Sequence, residues 1–204
     1  MRTVNILFLL LAFTSCHSQD AKKLEQYDEK TKNIKQYDKK AIELNNEATL
    51  ILSKNPDSLR KANKLLDSAI KIDPGYTIAY GNKIQTLVKL KEYQEALKWN
   101  DSLIAISPIA ETIMFKGLLI EKLSGKSEAI KTYQSSYKLF ATRYTSSVNL
   151  GNLKNLCVNE MLLNGKIRAI SLLDKEESKF TSNEMNDLND FRRYLAELSI
   201  DSFL

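Results

Sequence analysis

Side chains that could carry out catalysis are scarce in this chain of 204 residues, whose one histidine is His17. General acid–base and nucleophilic mechanisms need positioned groups that exchange protons near neutral pH. The sequence has no glycine-rich phosphate loop and no G-x-S-x-G motif, and carboxylates such as those in 174–177 lie within mixed-charge runs typical of a solvated helix face. The sequence therefore predicts no enzyme and no cofactor. An enzyme of unfamiliar type is the less favoured alternative.

The composition is that of a folded protein with long helices. Hydrophobic residues make up 43% and charged residues 27%, with only six glycines and three prolines to interrupt helices. The formal net charge is +5, but lysine, aspartate and glutamate are mixed along the chain. Binding to nucleic acid requires clustered positive charge, so we expect no nucleic-acid partner.

The N-terminus has the organisation of an export signal. A short basic start, Met1 to Thr3, precedes an unbroken apolar run from Ile6 to Phe13. A membrane-spanning helix needs ~20 apolar residues, so this run is too short to span a bilayer and suits the core of a signal peptide. The small residues Thr14 and Ser15 then lead directly to Cys16.

This junction resembles the lipobox of bacterial lipoproteins. The resemblance implies a signal peptide at 1–15, cleavage before Cys16, lipid attached to Cys16, and a lipid anchor with a polar tether at 16–38. His17 stands where an aspartate would mark inner-membrane retention in enteric bacteria. We therefore expect the protein in the bacterial cell envelope, lipid-anchored in the outer membrane and facing the periplasm. The alternative is an ordinary secretory signal in which Cys16 is incidental.

The second cysteine, Cys157, lies on an apolar stripe with Leu150, Leu153 and Met161. This 3-4-4 spacing predicts one face of a helix, on which cysteine acts as a small buried hydrophobic residue. A reactive thiol is the alternative. With Cys16 occupied by lipid, one histidine and one cysteine cannot build a usual zinc site, so no metal is expected.

The sequence repeats itself with two periods. Residues 58–74 align with 92–108 at an offset of 34 without a gap, matching Ala62 to Ala96 and Asp67 to Asp101. At an offset of 40, Gly125, Lys126, Ala129 and Ile130 match Gly165, Lys166, Ala169 and Ile170. Four segments thus share one pattern, in which a helix, a tight turn and an alanine-bearing second helix follow each other.

The 34-residue period, closed by Ile72-Asp73-Pro74 and Ile106-Ser107-Pro108, resembles the tetratricopeptide repeat. The resemblance implies an all-α fold over 39–204, an α-α superhelix of stacked helical hairpins. Such hairpins cannot bury their apolar faces alone, so neighbouring hairpins stack. Small residues such as Ala62, Ala96 and Gly117 would let the paired helices approach closely.

A terminal repeat needs a cap, and 182–199 provides a candidate helix. Thr181-x-x-Glu184 matches a capping box at a helix start. Met185, Leu188, Phe191, Leu195 and Leu198 then follow at helical spacing. The sequence therefore predicts a C-terminal capping helix over the last repeat.

The family register also predicts a binding surface, because the first helices of stacked hairpins line the concave side. It assigns this groove to Asn45, Thr49, Ile78, Gly81, Gln85, Val88, Phe115 and Lys122. The resemblance implies an adaptor or scaffold that binds an envelope protein or peptide while its lipid anchor holds it to the membrane. An accessory glycan-binding lipoprotein is the alternative.

Overall fold

The structure is a computed structural model that describes residues 36–54 and 58–204. The predicted signal peptide, the lipid site at Cys16 and most of the tether lie outside the described residues. Within those two ranges, no helix is both long enough and apolar enough to cross a membrane.

The described chain folds into nine α-helices, with short 3-10 turns at Glu177–Lys179 and Ile200–Ser202. Each helix packs against the next one along the chain. The helices are α1 (Lys39–Lys54), α2 (Leu59–Ile72), α3 (Thr77–Lys89), α4 (Tyr93–Ile106), α5 (Ala110–Ser124), α6 (Lys126–Ser146), α7 (Leu150–Asn164), α8 (Lys166–Glu176) and α9 (Met185–Glu197).

Eight of these helices form four consecutive hairpins. We call α1 with α2 unit 1, α3 with α4 unit 2, α5 with α6 unit 3, and α7 with α8 unit 4. Buried apolar side chains from all four units and from α9 form one continuous core. This arrangement confirms the predicted all-α class and the predicted succession of stacked hairpins.

Prolines and glycines set the ends of the helices. The helices α2 and α4 end just before Pro74 and Pro108, because proline cannot donate the next helical hydrogen bond. In units 3 and 4 a single glycine joins the two helices, Gly125 with φ 93° and Gly165 with φ 94°. The offset of 40 in the sequence thus marks two equivalent turns.

Small residues allow the two helices of each unit to approach closely. Ala62, Ala96, Ala129 and Ala169 are all fully buried in the second helices. On α5, Gly117 packs so tightly against α6 that a Cβ atom there would lie 2.4 Å from Cε1 of Tyr133. The predicted close-packing role of Gly117 is confirmed.

The C-terminal helix α9 spans Met185–Glu197, so it begins three residues later than the predicted 182–199 and ends two residues earlier. The first difference arises because Thr181 and Glu184 form a turn ahead of the helix. In this turn the Glu184 carboxylate accepts hydrogen bonds from the backbone N–H and the hydroxyl of Thr181, at 3.0 and 2.8 Å. The buried face of α9 contains Leu188, Phe191 and Leu195 and packs on α7 and α8.

Candidate protein-binding surface

Four of the predicted groove residues are at least partly exposed on the first helices α1 and α3. Ile78, Gly81 and Gln85 follow each other at 3-4 spacing on α3, which places them on one helix face. The Ile78 side chain is 52% exposed, while Gly81, Gln85 and Thr49 on α1 are partly exposed. We call Thr49, Ile78, Gly81 and Gln85 the first-helix surface.

Three other predicted groove residues are buried. Asn45 is enclosed between α1 and α3, where its Oδ1 accepts a hydrogen bond of 2.7 Å from Nδ2 of Asn82. Val88 and Phe115 belong to the apolar core. Their side chains are therefore unavailable to a partner, because contacts between neighbouring helices already cover them.

The contact between Asn45 and Asn82 also shows how the first-helix surface is built. It joins the first helix of unit 1 directly to the first helix of unit 2. Because Thr49 follows Asn45 by one helical turn, the exposed parts of α1 and α3 form neighbouring strips of one surface.

A second contact joins α3 of unit 2 to α2 of unit 1. The ammonium of Lys83 lies 2.7 Å from Oδ1 of Asp67 and donates a 2.8 Å hydrogen bond to Oδ1 of Asn63, both on α2. It also lies 4.6 Å from the ring centroid of Trp99 on α4. Lys83 thus connects three helices with a buried side chain, and sequence reasoning missed this role.

The same ion pair recurs at the next unit boundary. Lys116 on α5 lies 2.7 Å from Oδ1 of Asp101 on α4. Asp67 and Asp101 are matched by the offset of 34. Lys83 precedes Lys116 by 33 positions because the connection between α4 and α5 is one residue shorter than that between α2 and α3. A search for repeated pairs of opposite charge at these offsets could have found the contact.

Lys122 lies near the end of α5 and contacts the C-terminus of the chain. Its ammonium lies 2.8 Å from Oδ1 of Asp201 and 5.7 Å from the ring centroid of Tyr93. The hydrogen bond to Asp201 raises the pKa of Lys122. The predicted groove position in unit 3 is thus already in contact with residues 199–204, which we call the tail segment. No sequence pattern indicated this contact.

The remaining ionisable groups that stand out are structural. Cys157 is fully buried, and burial raises the pKa of its thiol to about 12, which confirms its prediction as a buried hydrophobic residue. The buried carboxylate of Glu176 accepts hydrogen bonds from Lys179 and Tyr144, at 2.5 and 2.7 Å. Within the two described ranges, no three His, Cys, Asp or Glu side chains are grouped as metal ligands.

Comparison with known proteins gives structural neighbours only. No protein-family model and no curated protein matches the chain. One similar solved structure is described as "Crystal structure of YrrB: a TPR protein with an unusual peptide-binding site", with 16% sequence identity, a TM-score of 0.46, and coverage of 84% of this chain and 80% of that chain. Another is MamA 41-end from Desulfovibrio magneticus RS-1, with 16% identity, a TM-score of 0.49, and coverage of 79% and 92%.

Proposed function

We propose that the chain is a membrane-anchored adaptor of the bacterial cell envelope that binds another protein, or a peptide segment of one, through the first helices of its hairpins. One observation carries the binding half of this proposal. The half-exposed side chain of Ile78 lies on the same face of α3 as Gly81 and Gln85, in a surface that continues onto α1. A mixed apolar and polar helix face of this kind fits a peptide or helix.

The anchoring half of the proposal rests on the sequence before the first helix. The apolar run from Ile6 to Phe13 is followed by Cys16, and the polar stretch after Cys16 leads into α1 at Lys39. Stable membrane anchoring needs about two acyl chains. Lipid on Cys16 and on the new N-terminus would meet that requirement and hold the hairpins near a membrane surface.

Photo-crosslinking in intact cells tests the binding half. A photoreactive residue replaces Ile78 or Gln85 in the full chain, and crosslinked partners are identified by mass spectrometry. Gln134, an exposed glutamine on the second helix of unit 3, is the matched control for Gln85. We expect the same partner to be crosslinked from Ile78 and Gln85 but not from Gln134. Equal crosslinking from all three positions, or none from the first two, contradicts the proposal.

Metabolic labelling tests the anchor separately. Cells that express the full chain are grown with a clickable fatty acid, and the protein is compared with its Cys16→Ala variant. We expect label on the unmodified chain, none on the variant, and release of the variant from the membrane fraction. Labelling that persists without Cys16 overturns the lipid assignment while leaving the crosslinking result intact.

A further inference from the structure

The last residues of the chain return to a helix far away in sequence. After α9, the tail segment reaches α5 in unit 3, where Asp201 pairs with Lys122 across 79 positions. Phe203 is only 5% exposed and belongs to the continuous apolar core of the repeats and α9. Ile200 and Leu204 pack against the same core. The tail segment therefore combines a buried aromatic side chain with an ion pair to a lysine of unit 3.

Hydrogen bonds between residues of the tail segment define its conformation. The Ser199 N–H donates to Oγ of Ser202, and the N–H groups of Ser202 and Phe203 donate to the carbonyls of Ser199 and Ile200. Together with the two serine hydroxyls, these bonds form a capped 3-10 turn. A short peptide with this sequence carries the same capping groups, which favours the turn before binding.

Few polar contacts hold the tail segment in place. In the described chain, the pair between Asp201 and Lys122 is its one polar link to another element, and the Asp201 side chain is 73% exposed. Ion pairs at this exposure are screened by solvent and salt. The attachment depends mainly on the burial of Phe203 and its apolar neighbours, so a competing peptide with similar groups could replace the tail segment.

We propose that the tail segment is a displaceable ligand of its own repeats. Residues 199–204 occupy, within the same chain, a site at Lys122 that accepts a partner peptide with an acidic residue followed two positions later by a large aromatic residue. The lysine meets the acidic side chain, and the apolar surface that Phe203 covers receives the aromatic ring. This inference deepens the proposed function, on which it rests, because it states the chemistry of a ligand and how the free protein covers that site.

Binding of a labelled synthetic peptide with the sequence of 198–204 tests the inference. The receptors are the full chain and two full-length variants with a loosened tail, Asp201→Lys and Phe203→Ser, each checked for helix content by circular dichroism. Asp201 is exposed, so Asp201→Lys retains the fold even if Phe203→Ser destabilises it. A site covered nine-tenths of the time lowers apparent affinity ~tenfold. We therefore expect a gain approaching that size in Phe203→Ser and a smaller gain in Asp201→Lys, in which Phe203 is retained.

Charge reversal shows whether the peptide uses the same site. In an Asp201→Ser background, whose own tail cannot pair with residue 122, Lys122→Glu should weaken binding of the unmodified peptide and strengthen binding of a peptide that carries Asp201→Lys. Lys89→Glu is the matched control, because Lys89 is an exposed lysine in the last turn of α3, 33 positions before Lys122. Lys89→Glu should leave the binding of both peptides unchanged.

The inference is overturned if the peptide binds the folded Asp201→Lys variant no better than the full chain. It is also overturned if Lys122→Glu and Lys89→Glu have the same effect. Neither result affects crosslinking from Ile78, which reports the proposed function at α3 in unit 2. Conversely, loss of that crosslinking does not alter the peptide measurement.

Discussion

Lys83 and Asp67 form an ion pair of 2.7 Å that joins unit 2 to unit 1, although the Lys83 side chain is only 3% exposed. The equivalent pair between Lys116 and Asp101 joins unit 3 to unit 2 at the same distance, but the Lys116 side chain is 34% exposed. The two pairs therefore share their geometry and differ in solvation. Since a buried charge depends much more on its partner than an exposed one, the two boundaries should respond differently to loss of the aspartate.

We expect Asp67→Asn to lower the free energy of unfolding by ~1–3 kcal/mol, because it leaves the buried Lys83 ammonium without its counter-charge. The matched variant Asp101→Asn should cost less than ~1 kcal/mol, because water reaches Lys116. Urea unfolding followed by circular dichroism and by Trp99 fluorescence measures both. Equal losses for the two variants would show that burial of Lys83 does not determine the effect.

Contacts within one hairpin were easier to predict from the sequence than contacts between hairpins. Ala62, Ala96 and Gly117 lie within hairpins, where fixed spacing along two short helices determines which residues meet. Such positions follow from the repeat pattern together with the family resemblance that it carries. The sequence therefore predicted the hairpins and the close helix contacts correctly.

Contacts between units were harder to predict. Lys83 meets Asp67 only when the relative rotation of two hairpins is known, and Asp201 meets Lys122 after a return of 79 positions. The burial of Asn45, Val88 and Phe115 depends on the same rotation. The family register assigned all three to the groove, whereas side chains of adjacent helices cover them in this chain.

Gly117 should not tolerate a side chain. We expect Gly117→Ala to reduce the free energy of unfolding by ~1–3 kcal/mol, because the new methyl group would lie within 2.6 Å of two Tyr133 ring atoms. Gly151 is the matched control, an exposed helical glycine whose Cβ would meet nothing closer than 3.4 Å. Gly151→Ala should be neutral or stabilising by up to ~1 kcal/mol, since alanine favours helices. Thermal and urea unfolding of both variants test these expectations, and a neutral Gly117→Ala would contradict the close contact.

Adding Tyr133→Leu to Gly117→Ala extends this measurement. The smaller side chain removes the ring that the methyl group meets, so the double variant should lose less than the sum of the single losses. Residues in direct contact show such non-additivity, whereas independent sites do not. Additive losses would mean that the cost of Gly117→Ala arises elsewhere.

The two single-residue turns should be sensitive to substitution for a different reason. Gly125 has φ 93° and ψ 167°, and Gly165 has φ 94° and ψ 167°, a region that is essentially restricted to glycine. No atom lies within 4 Å of a Cβ at either position, so the cost of alanine arises from the backbone alone. We expect Gly125→Ala and Gly165→Ala to destabilise by similar amounts, ~1–3 kcal/mol.

Chemical denaturation of the two turn variants tests this expectation, and Lys91 offers a control of opposite sign. Lys91 lies in the turn of unit 2 with φ 61°, a left-handed conformation that glycine adopts at lower cost. Lys91→Gly should therefore be neutral or stabilising. If it destabilises as much as Gly125→Ala, the backbone explanation fails.

Glu176 should make part of the stability dependent on pH. The hydrogen bond from Lys179 is the main cause that lowers the pKa of its carboxyl group, and the Tyr144 hydroxyl acts in the same direction. A group whose pKa is lower in the folded state contributes stability above its unfolded value, ~4.3, and loses it as pH falls through the folded value. Glu176→Gln should therefore lower the free energy of unfolding near neutral pH and reduce the fall of that free energy between about pH 5 and pH 3.

Glu128→Gln, at an exposed glutamate on α6, should leave this fall unchanged. Urea unfolding at a series of pH values measures both slopes, and parallel curves for the unmodified chain and Glu176→Gln would exclude Glu176 as the source.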